Sequence, residues 1–206
     1  MVKIGVLALQ GSFREHMECL KKLEGVECFE IRSVSELEKA DALILPGGES
    51  TAMRRLLDRF GMMTPLRKHI EDGLPVWGTC AGMILLAGEL VGEESHLGLM
   101  DTVVERNAYG SQLDSFRGEG TWALGKSPIK ADMVFIRAPL FVGYGAKIEP
   151  VARIGEQIVA IRQENMLATA FHPELIGDLT PYHWIAEQAD KRMRMNAADG
   201  VCAFAG

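Results

Sequence analysis

The sequence predicts an α/β domain with a mostly parallel central sheet, and three observations lead to that prediction. The first half of the chain alternates short apolar runs with helix-like segments, the pattern of βαβ units. Its apolar runs are continuous, as expected for strands that helices cover on both faces. The second half has frequent glycines and short strand-like segments, which indicate an antiparallel extension of the same sheet. No proline- or serine-rich linker separates the halves, so we expect one domain over residues 1–198 and a frayed tail at 199–206.

The first elements follow the order β-α-β-α-β, which implies right-handed crossovers. Ser12 is expected to cap the first helix, with Glu15 closing a capping box. The predicted bounds are strands at 3–9, 26–31 and 42–45, a helix at 13–23, and a short helix ending at Lys39.

The middle of the chain continues this alternation up to a cysteine. Helices are predicted at 52–60 and from Thr64 to about Asp72, where Gly73 ends the second one. A short strand then leads to Cys80. The later segments with strand character are 102–105, 134–137, 157–162 and 166–171, followed by a last helix at 181–197.

Composition excludes several classes of function. A formal charge of −6 without a run of Lys or Arg argues against a nucleic-acid-binding surface. No apolar stretch is long enough to span a membrane, and the N-terminus opens into a strand pattern rather than a signal peptide. The cysteines lie far apart without a CxxC pair, which favours reduced thiols in a cytoplasmic protein over disulfides or a metal site. They are Cys19, Cys28, Cys80 and Cys202.

The segment from Pro75 to Gly82 is the strongest candidate for a catalytic turn. An apolar run ends in Gly78-Thr79-Cys80-Ala81-Gly82, and a helix-like segment follows at once. A cysteine at a sharp strand-to-helix turn is exposed as a nucleophile, and the helix N-terminus favours its thiolate. The alternative is a buried structural cysteine.

A second candidate turn lies at His172-Pro173-Glu174, directly after the strand that ends at Phe171. The imidazole would act as general base for Cys80, and the carboxylate would orient it. A plain surface turn is the alternative, but the carboxyl ends of parallel strands converge in one crevice. Three other histidines, His16, His69 and His96, are predicted to be solvated. His183 could approach the crevice, but no carboxylate follows it as closely as Glu174 follows His172.

These motifs together resemble the class I (triad) glutamine amidotransferases. The resemblance rests on 78–82, 171–174 and Pro46-Gly47-Gly48, and it extends over roughly residues 3–190. Further segments are similar to the glutaminase subunits of pyridoxal 5′-phosphate synthases, namely 9–16, 46–51, 104–110, 112–116 and 135–139.

The resemblance implies a three-layer αβα, flavodoxin-like architecture and a cysteine-dependent hydrolysis of L-glutamine. Cys80 would be the nucleophile, His172 the general base and then acid, and Glu174 its orienter. Backbone N–H groups of Gly48 and Ala81 would bind the oxyanion. No cofactor and no metal is implied.

The resemblance also implies how glutamine is bound. Arg106 would pair with the α-carboxylate and Glu49 with the α-ammonium, while Gly47 with Gly48, and Ile136 with Arg137, would form the rest of the substrate site. Taken alone, a solvated arginine and a helix-terminal carboxylate are the alternatives.

The implied partner is a synthase subunit that receives the ammonia, and Gln10 is the candidate residue for switching the site on when the two dock. Two other functions remain open: a glutaminase subunit for another synthase, such as that of the imidazole-glycerol-phosphate pathway, and a non-catalytic regulatory partner. A metal enzyme is the least favoured, because the histidines and carboxylates lack ligand spacing.

Overall fold

The computed structural model describes residues 1–106 and 115–202, with the side chains of the last helix described as far as Ala197. The parts of the resemblance at 107–110 and 112–114, and the tail at 203–206, lie outside the described residues. The strands are β1 (Val2–Leu7), β2 (Val26–Ile31), β3 (Ala42–Leu45), β4 (Val76–Thr79), β5 (Ala87–Leu90), β6 (Met100–Glu105), β7 (Ser115–Trp122), β8 (Ile129–Ile136), β9 (Leu140–Tyr144), β10 (Glu149–Ile154), β11 (Gln157–Gln163) and β12 (Met166–Thr169). The helices are α1 (Phe13–Leu20), α2 (Val34–Leu37), α3 (Ser50–Arg59), α4 (Met63–Glu71), α5 (Ala81–Leu86) and α6 (Thr180–Cys202), and a 3₁₀ turn spans Pro173–Leu175.

The main sheet is mixed, with a parallel half and an antiparallel half. Within the described residues it has nine strands in the order β2-β1-β3-β4-β12-β11-β10-β7-β8. Neighbours from β2 through β12 run parallel, and those from β12 through β8 run antiparallel. Helices pack against the sheet; α6 contacts β1 and β3, and α5 contacts β3, β4 and β12. The predicted α/β class with an antiparallel extension is confirmed.

Continuous apolar runs form the centre of the parallel half, as their pattern predicts. Every residue of β3, β4 and β12 is buried, because helices or neighbouring strands cover both faces. Large side chains such as Trp77 and Phe171 are fully buried among them.

The prediction for the 102–105 segment is wrong in one respect. This segment belongs to β6, which pairs with β5 and β9 in a separate three-stranded sheet rather than extending the main one. The predicted 166–171 strand ends at Thr169 and runs parallel to β4, so it closes the parallel half. Strands β5, β7, β9 and β10 were not predicted, because glycines and charged residues interrupt their alternation.

Several helix bounds also differ from prediction. α1 ends at Leu20, not Leu23, while α3 begins at Ser50 and α6 continues to Cys202. The capping box at the start of α1 is wrong, because Ser12 makes no side-chain cap bond there. None of the helices in the described ranges is long and apolar enough to cross a membrane.

Helix α5 lies unusually close to the sheet, and a glycine makes that approach possible. A Cβ atom on Gly82 would lie 2.1 Å from the backbone oxygen of Leu45 in β3. Neither backbone can move away without displacing the buried strand, so only a residue without a side chain fits. This contact sets the position of the α5 N-terminus at the end of β4.

We expect Gly82→Ala to lower the free energy of unfolding by about 1–3 kcal/mol or more, because the added methyl group overpacks a backbone contact. Urea unfolding followed by circular dichroism measures the change. Gly125→Ala is the matched control, since a Cβ atom there meets nothing within 4 Å, and its effect should stay within about 0.5 kcal/mol. Equal stabilities of the two variants would contradict this account of the α5 packing.

Candidate active site

Three neighbouring parallel strands end at the same edge of the sheet and bring the predicted site together. β4 and β12 are aligned so that Thr79 lies beside Thr169, and the Cys80 N–H donates to the Thr169 carbonyl at 2.8 Å. β3 is aligned with β4 through Leu45 and Gly78. The turns that follow these strands therefore carry the Gly47–Gly48 pair, the cysteine and the histidine to one place.

Cys80 occupies the strained turn that a nucleophile of this kind requires. Its backbone has φ 48° and ψ −98°, a conformation that residues other than glycine rarely adopt. The thiol lies at the N-terminus of α5, where the N–H of Ala81 has no acceptor within the helix. Its S–H faces the carbonyl oxygen of Ile136 at 3.9 Å.

His172 and Glu174 form a buried pair beside Cys80. The Nδ1–H of His172 donates to Oε1 of Glu174 at 2.7 Å, so Nε2 is the ring nitrogen left to face the thiol. The backbone N–H of His172 donates to the Val134 carbonyl at 2.8 Å, which fixes the start of the 3₁₀ turn. Gly47 lets the ring approach, because a Cβ atom there would lie 2.4 Å from His172 Cε1.

The pKa values of the pair favour a charged imidazolium beside a charged carboxylate. Burial opposes the charge on His172, but its interactions with Cys80 and Glu174 outweigh burial and raise its pKa to about 10. Burial likewise disfavours the Glu174 carboxylate, yet His16 and His172 hold its pKa well below the ordinary value. An imidazolium at neutral pH is suited to pairing with a thiolate and to donating a proton to a leaving group.

The turn after β3 is fixed by residues from the turn after β1. The Gln10 side-chain oxygen accepts the Glu49 N–H at 2.9 Å, and the Ser12 N–H donates to the Gly47 carbonyl at 3.0 Å. Because the peptide is trans, the Gly48 N–H points away from Ser12. Gln10 therefore contacts the turn that is expected to bind the oxyanion.

Arg106 and Glu49 meet at the rim of the site. Arg106 donates to Glu49 Oε1 at 3.4 Å, to Glu93 at 2.6 Å and to Thr51 at 3.3 Å. The Glu49 carboxylate also caps α3 by accepting the N–H groups of Thr51 and Ala52. The helix-terminal role that was the alternative for Glu49 is thus present, together with its contact to Arg106.

A cavity of about 280 Å³ lies between these groups. Ser50, which the sequence analysis did not single out, adds a buried hydroxyl that has no hydrogen-bond partner among the described residues. Arg137, with a positive φ of 43°, follows Ile136 in the lining of the cavity. The lining residues are Gly11, Ser12, Gly47, Gly48, Glu49, Ser50, Cys80, Ile84, Arg106, Ile136, Arg137, His172 and Leu175.

The predictions for the other histidines are wrong at three positions. His16 and His96 are buried rather than solvated. His183 is exposed and lines a different cavity, which it shares with Met1 and Lys22.

Sequence analysis did not connect Ser12, His16 or Tyr182 with the triad. The hydroxyl of Ser12 donates to Glu174 Oε1 at 2.8 Å, and His16 contacts Thr79 and Tyr182. A signal was present, because Ser12 directly before α1 and His16 within it are polar residues four positions apart. No group of three or more metal-ligand side chains occurs within the described part of the chain.

Comparison with known proteins shows what this arrangement resembles. A model of the SNO glutamine amidotransferase family matches residues 6–191. The pyridoxal 5′-phosphate synthase subunit PdxT of Ruminiclostridium cellulolyticum is 49% identical over 188 residues, covering 91% of this chain and 99% of the relative. The PdxT subunit of Pelotomaculum thermopropionicum is 50% identical over 189 residues, covering 91% and 95%.

Solved structures agree with the sequence matches. A glutamine amidotransferase crystal structure superposes with a TM-score of 0.84 at 46% identity, covering 91% of this chain and 98% of that one. The structure of PurLQS from Thermotoga maritima shares the fold, with a TM-score of 0.65 at 17% identity and coverage of 96% and 100%.

We expect Glu174→Gln to lower the pKa of His172 from about 10 toward its ordinary value, because a neutral amide stabilises the imidazolium less than a carboxylate does. The wild-type ring then keeps its proton as pH rises well past 6.5, whereas the variant loses it earlier. NMR spectra of the imidazole nitrogens between pH 5 and 11 measure both titrations. Glu187→Gln, on an exposed position of α6, is the control. An unchanged His172 titration in Glu174→Gln would refute the assignment.

Proposed function

Because the chain belongs to the SNO glutamine amidotransferase family, we propose that it is the glutaminase subunit of a pyridoxal 5′-phosphate synthase. It hydrolyses L-glutamine to L-glutamate and ammonia, and a synthase subunit uses the ammonia in vitamin B6 biosynthesis. The observation that carries the proposal is the alignment of the β4 and β12 ends, which sets Cys80 beside a His172–Glu174 pair. The PdxT relatives support the choice of synthase.

The reaction proceeds through a thioester. The Cys80 thiolate attacks the side-chain carbonyl carbon of glutamine, and N–H groups of Gly48 and Ala81 stabilise the negative charge on its oxygen. His172 donates its Nε2 proton to the departing nitrogen, which leaves as ammonia. Water then attacks the thioester while His172 accepts a proton, and glutamate leaves as Cys80 is regenerated. Glu174 stays ionised and holds the imidazole in place.

The amino-acid end of glutamine is held at the rim of the cavity. Arg106, already positioned by Glu93 and Thr51, binds the α-carboxylate, and Glu49 binds the α-ammonium. The Glu49 carboxylate is half-exposed, which leaves room for this ammonium group beside Arg106. Gly47, Gly48, Ile136 and Arg137 line the remaining wall.

Ammonia transfer requires docking, because ammonia released into water is protonated and the synthase can then no longer use it. The Gln10 contact with the turn after β3 supports a switch in which the docked synthase, acting through this side chain, completes the oxyanion site. We place this complex in the cytoplasm, since Cys19, Cys28 and Cys80 are free thiols.

We expect Cys80→Ser to lose nearly all ammonia release from glutamine, because an alcohol is far less ionised than a thiol at neutral pH. Ammonia is measured with the synthase subunit present, and Cys28→Ser, on β2, is the control. A glutamine-analogue electrophile should label Cys80 and spare Cys19, Cys28 and Cys202. Equal labelling of the four cysteines would contradict the assignment of Cys80 as the nucleophile. Absence of glutaminase activity in the wild-type protein, measured with the synthase present, would instead favour a non-catalytic regulatory partner.

We expect Gln10→Ala to lose most of the stimulation that the synthase gives, since one misplaced oxyanion donor costs about 10²–10³ in kcat. Glutaminase activity is titrated against the synthase to saturation, with melting temperature as the check on folding. Gln157→Ala, at the start of β11, is the control. Full stimulation of Gln10→Ala at saturating synthase would show that the switch lies elsewhere while leaving the glutaminase assignment intact.

A further inference from the structure

One face of helix α1 is built around the acid of the triad. Ser12 directly precedes the helix, and Ser12, His16 and Cys19 follow the i, i+4 and i+7 spacing that brings side chains to one side of a helix. The Ser12 hydroxyl donates to Glu174 Oε1 at 2.8 Å, and the Cys19 thiol faces the Glu174 backbone oxygen at 3.8 Å. Between them, His16 Nε2 lies 3.7 Å from Glu174 Oε1. Three successive inward residues therefore contact the residue that orients His172.

His16 is the central member of this group and is completely buried. Its Nδ1 lies 2.8 Å from the Tyr182 hydroxyl of α6, and its Nε2 lies 3.2 Å from the Thr79 hydroxyl of β4. Trp77 packs edge-on against the ring, with centroids 5.3 Å apart. Three side chains from β4 and α6 thus hold the ring, which has little freedom to rotate.

The contacts select one tautomer of a neutral imidazole. Burial lowers the pKa of His16, and burial raises the pKa of Tyr182, so the hydroxyl keeps its proton. A lone pair on Nε2 would face the Glu174 carboxylate and repel it, so the proton resides on Nε2. Tyr182 then donates to Nδ1, and the Nε2–H points to Thr79 and Glu174.

We propose that His16 is a positioning residue for catalysis: its Nε2–H lies against the Glu174 carboxylate and, together with the Ser12 hydroxyl, holds that carboxylate facing His172, while Tyr182 fixes the His16 ring through Nδ1. This inference rests on the proposed glutaminase function. His16 touches neither glutamine nor Cys80, because it lies behind the triad and does not line the cavity. Its effect passes through Glu174 to His172.

The electrostatic surroundings of Glu174 support this role. The Ser12 hydroxyl donates to Oε1, which also accepts the His172 Nδ1–H, and the His16 Nε2–H lies 3.7 Å from the same oxygen, where it stabilises the negative charge without a hydrogen bond. Oε2 has no hydrogen-bond partner within the described residues. An ionised carboxylate with so few donors depends on each of them. The titratable groups facing this cluster are Glu15 and Cys19 from α1, Lys22 just after it, Tyr182 from α6, Asp178 from the segment before α6, and Cys80 and His172 from the candidate catalytic turns.

The test compares two substitutions of similar size at one position. His16→Gln keeps an N–H donor near the place of Nε2, whereas His16→Leu keeps only the volume. In His16→Leu we expect kcat to fall roughly ten- to hundredfold, with KM nearly unchanged. The Glu174 carboxyl should also titrate at higher pH in carbon-13 NMR spectra, assigned by comparison with Glu174→Gln. His16→Gln should recover most of kcat and the low titration. His69→Leu, on α4, is the control for replacing a helical histidine.

Tyr182→Phe keeps the test decisive if His16→Leu does not fold. Loss of this single hydroxyl leaves the buried Nδ1 without its donor and frees the His16 ring to turn, so kcat should fall and the Glu174 titration should rise. A lower melting temperature without a shift of the Glu174 titration would show a merely structural role and overturn the proposal. If wild type releases no ammonia while the Glu174 shifts still occur, the proposed function fails and the positioning role stands.

Discussion

The alignment of β4 with β12 is the constraint on which the site depends. The Cys80 N–H bonds to the Thr169 carbonyl, so the cysteine leaves one strand beside the point where the chain turns toward His172. A slip of one residue would move a strand end by about 3.3 Å and turn its side chains to the opposite face. The buried apolar runs of both strands prevent such a slip, because the side chains would lose the neighbours against which they are packed. Core packing thus sets the distance between Cys80 and His172.

A buried carboxylate is the main electrostatic cost of this arrangement. Glu174 is 5% exposed and would be neutral in an apolar pocket. Its interactions with His16 and His172 overcome that tendency and lower its pKa. The same contacts keep the imidazolium oriented before substrate arrives, so no rearrangement is needed during the reaction. Burying this carboxylate lowers the stability of the fold but fixes the geometry of the Glu174–His172 pair.

The two sheets contribute different parts of the glutamine site. The main sheet presents Cys80, His172 and the turn after β3, where the side-chain amide reacts in the proposed mechanism. Arg106, at the end of β6 in the small sheet, reaches the cavity with its guanidinium held by Glu93. The proposed division of labour places the reacting amide over the sheet edge and the amino-acid end at the junction of the sheets.

Local patterns in the sequence determined the order of the first elements, the buried parallel strands and both catalytic turns. Those features depend on neighbouring residues: apolar runs define strands, and the residues flanking Cys80 and His172 define their turns. The tertiary structure alone decided that His16 is buried and that the Ser12 hydroxyl bonds Glu174 instead of capping a helix. Ser12 and Glu174 lie 162 positions apart, and His16 and Thr79 lie 63 apart. Such pairings follow from how strands and helices pack, because a polar side chain takes whichever partner the fold brings within reach.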